Sequence, residues 1–419
     1  MSNLLIISNN PLSEVQNNGK TILSMIEGID KSHIHQLYFN INDPTVFGYD
    51  YYRISDKDII KGIIFHSKRG SIVEPKHNTT IIESSNTVRN DLFRLIRELL
   101  WYKKWKSAKL VHWLNDFKPD AIFFVGGDCV FAYDIALSIQ KEYNARLSLF
   151  ITDDYIMKRK RDSVVGKIRK QWIKNRIKRT LSNASSFFTI SEIMKKTYFE
   201  MFGVDSYVIN NIPESMKIER NQSSNDIIQL IYAGSLYYGR EDTIQMLVDV
   251  LSEYNKSHKK KARLNIYSNT KPDHIILQKV CKEDVSVYRG SLSKPELILE
   301  LNNSDILVFV ESFQEEEIEK VRLSFSTKIP EYLSIGKPIL AIGPNGIGSM
   351  DYLKDAAKCV TDPNDLKDHV YDLLLSDQQR AELGQRASNK FDSNYNRESI
   401  QRRFREMVMG EMKNDEDQN

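Results

Sequence analysis

The stretch SFSTKIPEYLSIGKPIL at residues 324–340 decides the fold more than any other part of the chain. It follows the apolar run ILVFV at 306–310, which predicts a buried strand. Ser326 or Thr327 can cap a short helix after that strand, and Gly336 can end the helix before the next apolar run. Together these signals predict a strand–helix–strand unit of an α/β fold.

The same stretch carries a cation and a carboxylate. Lys328 and Glu331 lie three residues apart, so they share one face near the positive end of the predicted helix. A cation, a carboxylate and unpaired backbone N–H groups suit a ligand that has both phosphate and sugar hydroxyls. The simpler interpretation is an ion pair on an ordinary surface helix, and spacing alone leaves both open.

Short apolar runs alternate with helix-length amphipathic segments along the whole chain, which predicts an α/β protein with mostly parallel sheets. The predicted strands are Leu4–Ser8, Gln36–Asn40, Gly62–His66, Ala121–Val125, Leu147–Ile151, Ser186–Ile190, Tyr207–Ile209, Ile227–Ala233, Leu264–Tyr267, Val285–Tyr288, Ile306–Val310 and Ile339–Ile342. A helix is predicted over 243–256, and Ser293 and Glu296 form a capping box at the start of another.

The length of 419 residues exceeds one ordinary core and predicts two domains. We expect them at 1–212 and 227–396, joined by the polar linker 213–226. A last helix is predicted at 397–412, and the polar tail 413–419 is predicted to be disordered.

Composition excludes several classes of protein. The three cysteines are far apart and the eight histidines form no metal-binding motif, which argues against disulfides and zinc and fits a reducing cytoplasm. No apolar run is long enough to span a bilayer, and the N-terminus reads as a first strand rather than a signal peptide. The net charge of +3 indicates no polyanionic partner such as nucleic acid.

Two segments combine basic and aromatic residues. The segment 88–114 is predicted to be one long amphipathic helix with three tryptophans, and 158–179 holds eleven Lys/Arg against the single acid Asp162. A solvated helix face is one interpretation of each. The other is peripheral contact with an anionic membrane surface, where basic residues with aromatic anchors are favourable.

A glycine-containing loop follows the first predicted strand in each half of the chain. Gly19-Lys20 comes after Leu4–Ser8, and Gly234-Ser235 follows Ile227–Ala233. Glycine lets a backbone approach a ligand closely, and the nearby Arg240 suits bidentate phosphate binding. These loops predict phosphate contacts.

Asp153 and Asp154 directly follow the strand Leu147–Ile151. Open α/β sheets bind ligands at the carboxyl ends of their strands, and adjacent carboxylates disfavour each other's ionised form. The pair therefore predicts a catalytic base or an orienting group, with a helix N-cap as the structural alternative.

The motif Ser326-Thr-Lys328-Ile-Pro-Glu331-Tyr332 with Gly336-Lys-Pro338 resembles the donor site of GT-B glycosyltransferases, in particular the family 4 type found in bacterial surface-polysaccharide synthesis. Other matching features follow in the family's order along essentially the whole chain. They are Asn18-Gly19, Thr152-Asp153-Asp154-Tyr155, Ser191-Glu192, Asn210-Asn211, Tyr232-Ala-Gly234-Ser235-Leu236, Arg240 and Arg289-Gly290.

The resemblance implies two Rossmann-like domains with a cleft between them and a nucleotide-diphosphate sugar bound mainly by the C-terminal domain. Glu331 would accept hydrogen bonds from the ribose, Arg240 and Lys328 would neutralise the diphosphate without a metal, and Arg289-Gly290 would face the nucleobase. Asp153 or Asp154 would lie near the acceptor hydroxyl. The last helix, 397–412, would cross back to the first domain.

The chain departs from the family at Leu323, where the resemblance requires a first glutamate, and at the acids that follow Arg240. Glu311 or the run 315–317 can supply a carboxylate instead. The leading hypothesis is a retaining hexosyl transfer to a glycan or lipid-linked acceptor, with no cofactor beyond the co-substrate, at the inner face of the plasma membrane. A nucleotide-sugar epimerase with this fold and a non-catalytic partner subunit are the alternatives.

Overall fold

A computed structural model describes residues 2–14, 17–65, 69–76, 91–218 and 227–410. The chain forms two compact units, named here unit 1, Met1–Asn211 with Arg397–Asn419, and unit 2, Ile212–Asn396. The predicted tail 413–419 and the second half of the predicted linker lie outside the described residues.

Unit 1 is built on an eight-stranded sheet with the order β4-β3-β2-β1-β5-β6-β7-β8, in which all pairs are parallel except β3–β4. Its strands are β1 Leu4–Ser8, β2 Ile34–Tyr38, β3 Asp50–Arg53, β4 Ser71–Ile72, β5 Ala121–Gly126, β6 Arg146–Ile151, β7 Ser186–Thr189 and β8 Tyr207–Val208. Its helices include α1 Asn17–Ile26, α2 Asp56–Ile64, α3 Asp91–Trp101, α4 Ala108–Phe117, α5 Val130–Tyr143, α6 Val164–Leu181 and α7 Glu192–Phe202.

Unit 2 has a six-stranded sheet with the order β11-β10-β9-β12-β13-β14, and every pair in it is parallel. Its strands are β9 Ile227–Ala233, β10 Lys261–Tyr267, β11 Ser286–Gly290, β12 Ile306–Val310, β13 Ile339–Ile342 and β14 Lys358–Val360. Its helices are α8 Arg240–Ser257, α9 His274–Val280, α10 Lys294–Asn303, α11 Glu315–Val321, α12 Lys328–Ile335, α13 Gly348–Leu353, α14 Leu366–Leu375 and α15 Asp377–Asn394. The chain ends in α16, Arg397–Met409, which belongs to unit 1.

The predicted strands are confirmed, to within about two residues at most ends, with one exception. The strand predicted at Gly62–His66 is wrong, because residues 62–64 form the last turn of α2. Ser55 and Asp58 make a capping box, so the helix starts there, and Ile59 is buried while Ile63 faces solvent. The strands β3, β4 and β14, of two to four residues, were not predicted.

The long helix predicted over 88–114 is also wrong. The described part forms two helices, α3 and α4, and Lys103 between them has a left-handed backbone with φ of 53°. Trp101 and Trp105 are buried at this break, so burial of the indoles, rather than continuous helix hydrogen bonding, sets the local path.

The capping box predicted at Ser293 and Glu296 is confirmed at the start of α10. The described part of the predicted linker is held by unit 2, because the Ile218 N–H donates to Asn302 Oδ1 at 2.9 Å. In unit 1, Phe404 of α16 packs edge-to-face on Phe123 of β5 at 4.9 Å between ring centroids. This contact makes the last helix part of the unit 1 core.

Candidate functional site

The carboxyl ends of the unit 2 strands lie along one edge of its sheet, because all six strands run in the same direction. Gly234 follows β9, Glu311 follows β12, and Gly290 ends β11. Three separate segments of sequence therefore place glycine or carboxylate groups at this edge.

The β9 end and the start of α12 approach each other closely. The Gly234 N–H donates to the Tyr267 carbonyl at 2.9 Å. A Cβ atom at residue 234 would collide with Lys328 Nζ and would lie 2.8 Å from the hydroxyl of Tyr232. Only glycine leaves this space to the ammonium group of Lys328, which also lies 5.9 Å from the centre of the Tyr232 ring.

The helix predicted from the motif is α12. Gly336 ends it in a left-handed conformation with φ of 71°, as predicted. The expectation of a side-chain cap is not met at Thr327, which is the N-cap residue and makes no such bond. The Ser326 carbonyl instead accepts from the Ile329 N–H at 3.1 Å, and the Ser326 N–H donates to Ser349 Oγ at 3.1 Å. Backbone groups therefore organise this helix start.

Arg240 is the first residue of α8 and forms a short ion pair with Glu311. Its Nη2 and Nε atoms lie 2.7 Å and 3.1 Å from Glu311 Oε2. The Glu311 side chain is 8% exposed and that of Arg240 is 20% exposed. Thr243 Oγ1 donates to the Glu311 carbonyl, so α8 is fixed to the end of β12 by two contacts.

The charges at this edge influence one another. Burial raises the pKa of Glu311, while the cations of Arg240 and Lys328 oppose that rise. Burial, together with the charge of Arg240, lowers the pKa of Lys328 to about 8, and Glu311 and Glu331 oppose the shift. Two cations and two carboxylates are thus brought within electrostatic range, as phosphate and hydroxyl binding requires.

The other predicted ligand-binding residues of unit 2 lie outside the charged cluster of Arg240, Glu311 and Lys328. Ser235 lies in the β9–α8 loop, where its carbonyl accepts from the Tyr232 hydroxyl at 2.6 Å. Tyr332 is 2% exposed, and its burial raises its pKa, so its ring belongs to the unit 2 core. Arg289 is exposed, and Gly290 has φ of 92° with open space where a Cβ would lie. This end of β11 can therefore accept a flat group against its backbone.

Leu323, at the position where the resemblance requires a glutamate, is 1% exposed. The acids at 315–317 form the first turn of α11, whereas Glu311 lies at the strand end beside Arg240. The sequence offers Glu311 only as one of several substitute carboxylates, and its signal is an acid directly after an apolar run. Folding places this residue in the charged cluster.

In unit 1, Gly19 lies in the first turns of α1, and a Cβ there would meet the Ser13 backbone nitrogen at 2.6 Å. The glycine is therefore required by the packing of residues 11–13 on α1. Lys20 follows it and is half-buried.

Asp153 and Asp154 follow β6 but have different surroundings. Asp154 is buried, and its Oδ1 accepts from the N–H groups of Ile156 and Met157 at 3.1 Å and 2.9 Å. Asp153 is half-exposed, and its Oδ1 accepts from the Asp154 N–H at 2.8 Å. Asp154 thus organises its own loop, and it caps no helix, because residues 154–158 are not helical.

In the described ranges, no group of three or more His, Cys, Asp or Glu residues could hold a metal ion. Nor does any helix in the described part of the chain have the length and hydropathy needed to cross a membrane.

Several solved structures share this fold. HepE from Anabaena in complex with UDP is 12% identical with a TM-score of 0.63, and the match covers 97% of this chain and 100% of HepE. An E. coli trehalose-6-phosphate protein bound with UDP-2-fluoro glucose is 11% identical with a TM-score of 0.63, with coverage of 96% and 97%. TarM is 14% identical with a TM-score of 0.54 over 74% of this chain and 58% of TarM.

No family model matches the sequence, and no curated protein sequence is detectably similar to it. The structural similarity is nevertheless sufficient to assign the fold. The chain has the GT-B fold, which confirms the fold that the sequence motifs implied.

Proposed function

We propose that the protein is a glycosyltransferase that takes a sugar from a nucleotide-diphosphate donor bound at the carboxyl edge of the unit 2 sheet. The observation that carries the proposal is that Lys328 lies against Gly234 and within electrostatic range of Arg240 and Glu331. Two cations match the two charges of a diphosphate, and Glu331 supplies an acceptor for ribose hydroxyls. The fold is shared with proteins solved with UDP and with UDP-2-fluoro glucose, which supports a nucleotide-sugar donor.

Sugar transfer requires the protein to stabilise a departing nucleoside diphosphate. Charge that develops on the leaving phosphate would be met by Arg240 and by Lys328 in its protonated form. Because Arg240 is held by Glu311 before the donor binds, little reorganisation of this group is needed during the reaction. We therefore propose that transfer proceeds without a metal ion.

The acceptor side of the proposal rests on unit 1. Asp153 is a better candidate for the acceptor-hydroxyl contact than Asp154, because Asp154 already serves its loop. We propose a hydroxyl of a glycan or lipid-linked oligosaccharide as acceptor, transfer with retained anomeric configuration, and a role in surface polysaccharide synthesis. The basic and aromatic helices of unit 1 support work at a membrane surface.

A non-catalytic subunit is the second candidate, and the observation that favours it is the buried Leu323. Donor binding and turnover separate the two functions. We expect UDP and a UDP-sugar to raise the midpoint of thermal unfolding, since a ligand of the native state stabilises by about 2.7 kcal/mol at 100 times its Kd.

Arg240→Met and Glu331→Gln should cut that shift to half or less, whereas Arg386→Met, which changes an exposed arginine of α15, should preserve it. A shift that is as large in both site variants as in the wild type would refute the proposed donor site. Release of UDP only when a glycan acceptor is present would indicate a transferase. Conversion of the sugar into its epimer without an acceptor would indicate an epimerase. Binding of the UDP-sugar with neither reaction would indicate the non-catalytic subunit. Turnover that needs a divalent cation and is lost in EDTA would contradict metal independence.

A further inference from the structure

Helices α3 and α6 of unit 1 lie side by side and run in the same direction. At their N-terminal ends the Ser163 hydroxyl donates to the Asp91 carboxylate. Further along, Arg169 Nη2 lies 3.9 Å from Glu98 Oε1. Two contacts in the same order along both helices fix a parallel pair.

Each helix of the pair exposes an apolar stripe. On α3 the stripe is Leu92, Ile96 and Leu99, which are 52%, 47% and 64% exposed, and their spacing places them on one face. On α6 the corresponding residues are Val164, Ile168 and Trp172, at 74%, 44% and 39% exposed, and their spacing of four residues also places them on one face. Large apolar side chains that lie together on a surface mark a site of contact with another protein or with a membrane.

The stripes lead into a cavity of about 820 Å³, to which Leu99 and Trp172 both contribute. Its floor is fixed, because Trp101 Nε1 donates to Asp56 Oδ1 at 2.7 Å and the indole stacks on Phe131 with ring centroids 3.9 Å apart. A volume of this size accommodates a small molecule or a lipid head group.

The charges around the cavity select an anion. Of the four cations among its described lining residues, Lys106 pairs with Glu142 at 2.7 Å and Arg176 pairs with Asp134 at 2.8 Å. Lys103 and Arg179 are exposed and have no ion pair within the described part of the chain.

The neighbouring acid does not cancel this positive charge, and the neighbouring helix adds to it. The carboxylate of Glu98 is already engaged by the N–H groups of Val130 and Phe131, both at 3.0 Å. Helix α6 carries seven Lys/Arg residues and no acid, so the positive potential extends along the whole stripe.

We propose that this cavity binds the phosphate head group of an anionic phospholipid while the two apolar stripes lie in the membrane interface. Lys103 and Arg179 contact the phosphate, and Trp172 lies at the boundary between head group and acyl chain, where its amphipathic ring is favoured. This proposal rests on the membrane-surface part of the proposed function and adds to it a ligand site in unit 1, whereas the proposed donor site lies in unit 2.

Binding to vesicles tests the proposal. The full chain should sediment with vesicles of phosphatidylglycerol and phosphatidylcholine and remain in solution with phosphatidylcholine alone. Lys103→Gln and Arg179→Gln should each weaken binding about fivefold, and the double variant about 25-fold, as expected for loss of one basic contact each. Ile96→Glu should abolish binding, because it brings a carboxylate into the apolar stripe.

The controls change similar side chains elsewhere. Lys259→Gln and Leu375→Glu alter an exposed lysine and a 60% exposed leucine of unit 2 and should bind vesicles as the wild type does. All of these variants should keep the UDP-dependent thermal shift, which separates failure of this proposal from failure of the proposed function.

Tryptophan fluorescence locates the contact. Lipids with brominated acyl chains should quench the wild type strongly and Trp172→Phe weakly, since Trp101, Trp105 and Trp113 are buried. Equal quenching in Trp172→Phe, or equal loss of binding in Lys259→Gln, would overturn the assignment. Saturation by soluble glycerol 1-phosphate with no gain from vesicles would also overturn it, because the ligand would then be a free phosphate ester.

Discussion

Replacing Arg240 with methionine would remove one partner of the ion pair with Glu311 and leave the other in place. The glutamate side chain is 8% exposed, and both of its contacts with Arg240 converge on one oxygen at 2.7 Å and 3.1 Å. Loss of one partner of a fully buried pair costs about 3–5 kcal/mol. Because the Arg240 side chain is 20% exposed, and Glu311 can take up a proton, we expect the free energy of unfolding to fall by roughly 2 kcal/mol.

Binding of UDP should weaken as well. A hydrogen bond between charged groups contributes about 1.5–3 kcal/mol, so Arg240→Met should raise the Kd for UDP roughly 10- to 150-fold. Glu311→Gln keeps an acceptor for the guanidinium and removes a negative charge near the phosphates, so its Kd should not rise. Both variants should therefore lower the free energy of unfolding, but only Arg240→Met should weaken the binding of UDP.

A double-mutant cycle in urea, combined with calorimetric titration of UDP, measures both quantities. Arg240→Met with Glu311→Leu should recover most of the lost stability, since no buried charge remains unpaired, while UDP still binds poorly. Arg386→Met controls for the loss of an exposed arginine. Coupling below about 0.5 kcal/mol between the two sites, or a UDP affinity that Arg240→Met leaves unchanged, would refute the reasoning.

Three further outcomes are expected. Since the pKa of Lys328 is lowered to about 8, the affinity for UDP should fall as pH rises through 8. The free energy of unfolding should rise between pH 8 and the ordinary lysine pKa, because in that range the unfolded chain holds the proton and the native chain does not. In Lys328→Met, titration of UDP and urea unfolding should show neither trend. Gly234→Ala should weaken UDP binding by roughly 1–2 kcal/mol, because its methyl group displaces the ammonium of Lys328, and should also lower stability, because the methyl group would lie 2.8 Å from the hydroxyl of the buried Tyr232; unchanged calorimetric affinity would contradict the contact with Lys328. Asp154→Ala should lose about 2 kcal/mol of stability in urea, as two backbone N–H groups lose their acceptor, whereas Asp153→Asn should retain stability and lose transfer activity; the reverse pattern would make Asp154 the acceptor contact.

The strands could be predicted because parallel strands in a covered sheet need continuous apolar runs, and such runs are visible one by one. Leu4–Ser8, Ile227–Ala233 and Ile306–Val310 have the predicted limits in the structure. Gly62–His66 failed because a short apolar run in the last turn of a capped helix looks the same as a strand. The break between α3 and α4 could not be read either, since it depends on where Trp101 and Trp105 are buried.

The candidate site divides in the same way. The chain alone determined the α/β pattern, the helix that starts at Lys328 and ends at Gly336, and the residue types suited to phosphate, because these depend on local spacing and chemistry. Only the tertiary structure decided that Glu311 pairs with Arg240 and that Asp154 serves its own loop. It also decided that α3 and α6 frame a basic cavity. These contacts join residues far apart in sequence, and no local pattern specifies which distant side chains folding brings within hydrogen-bonding distance.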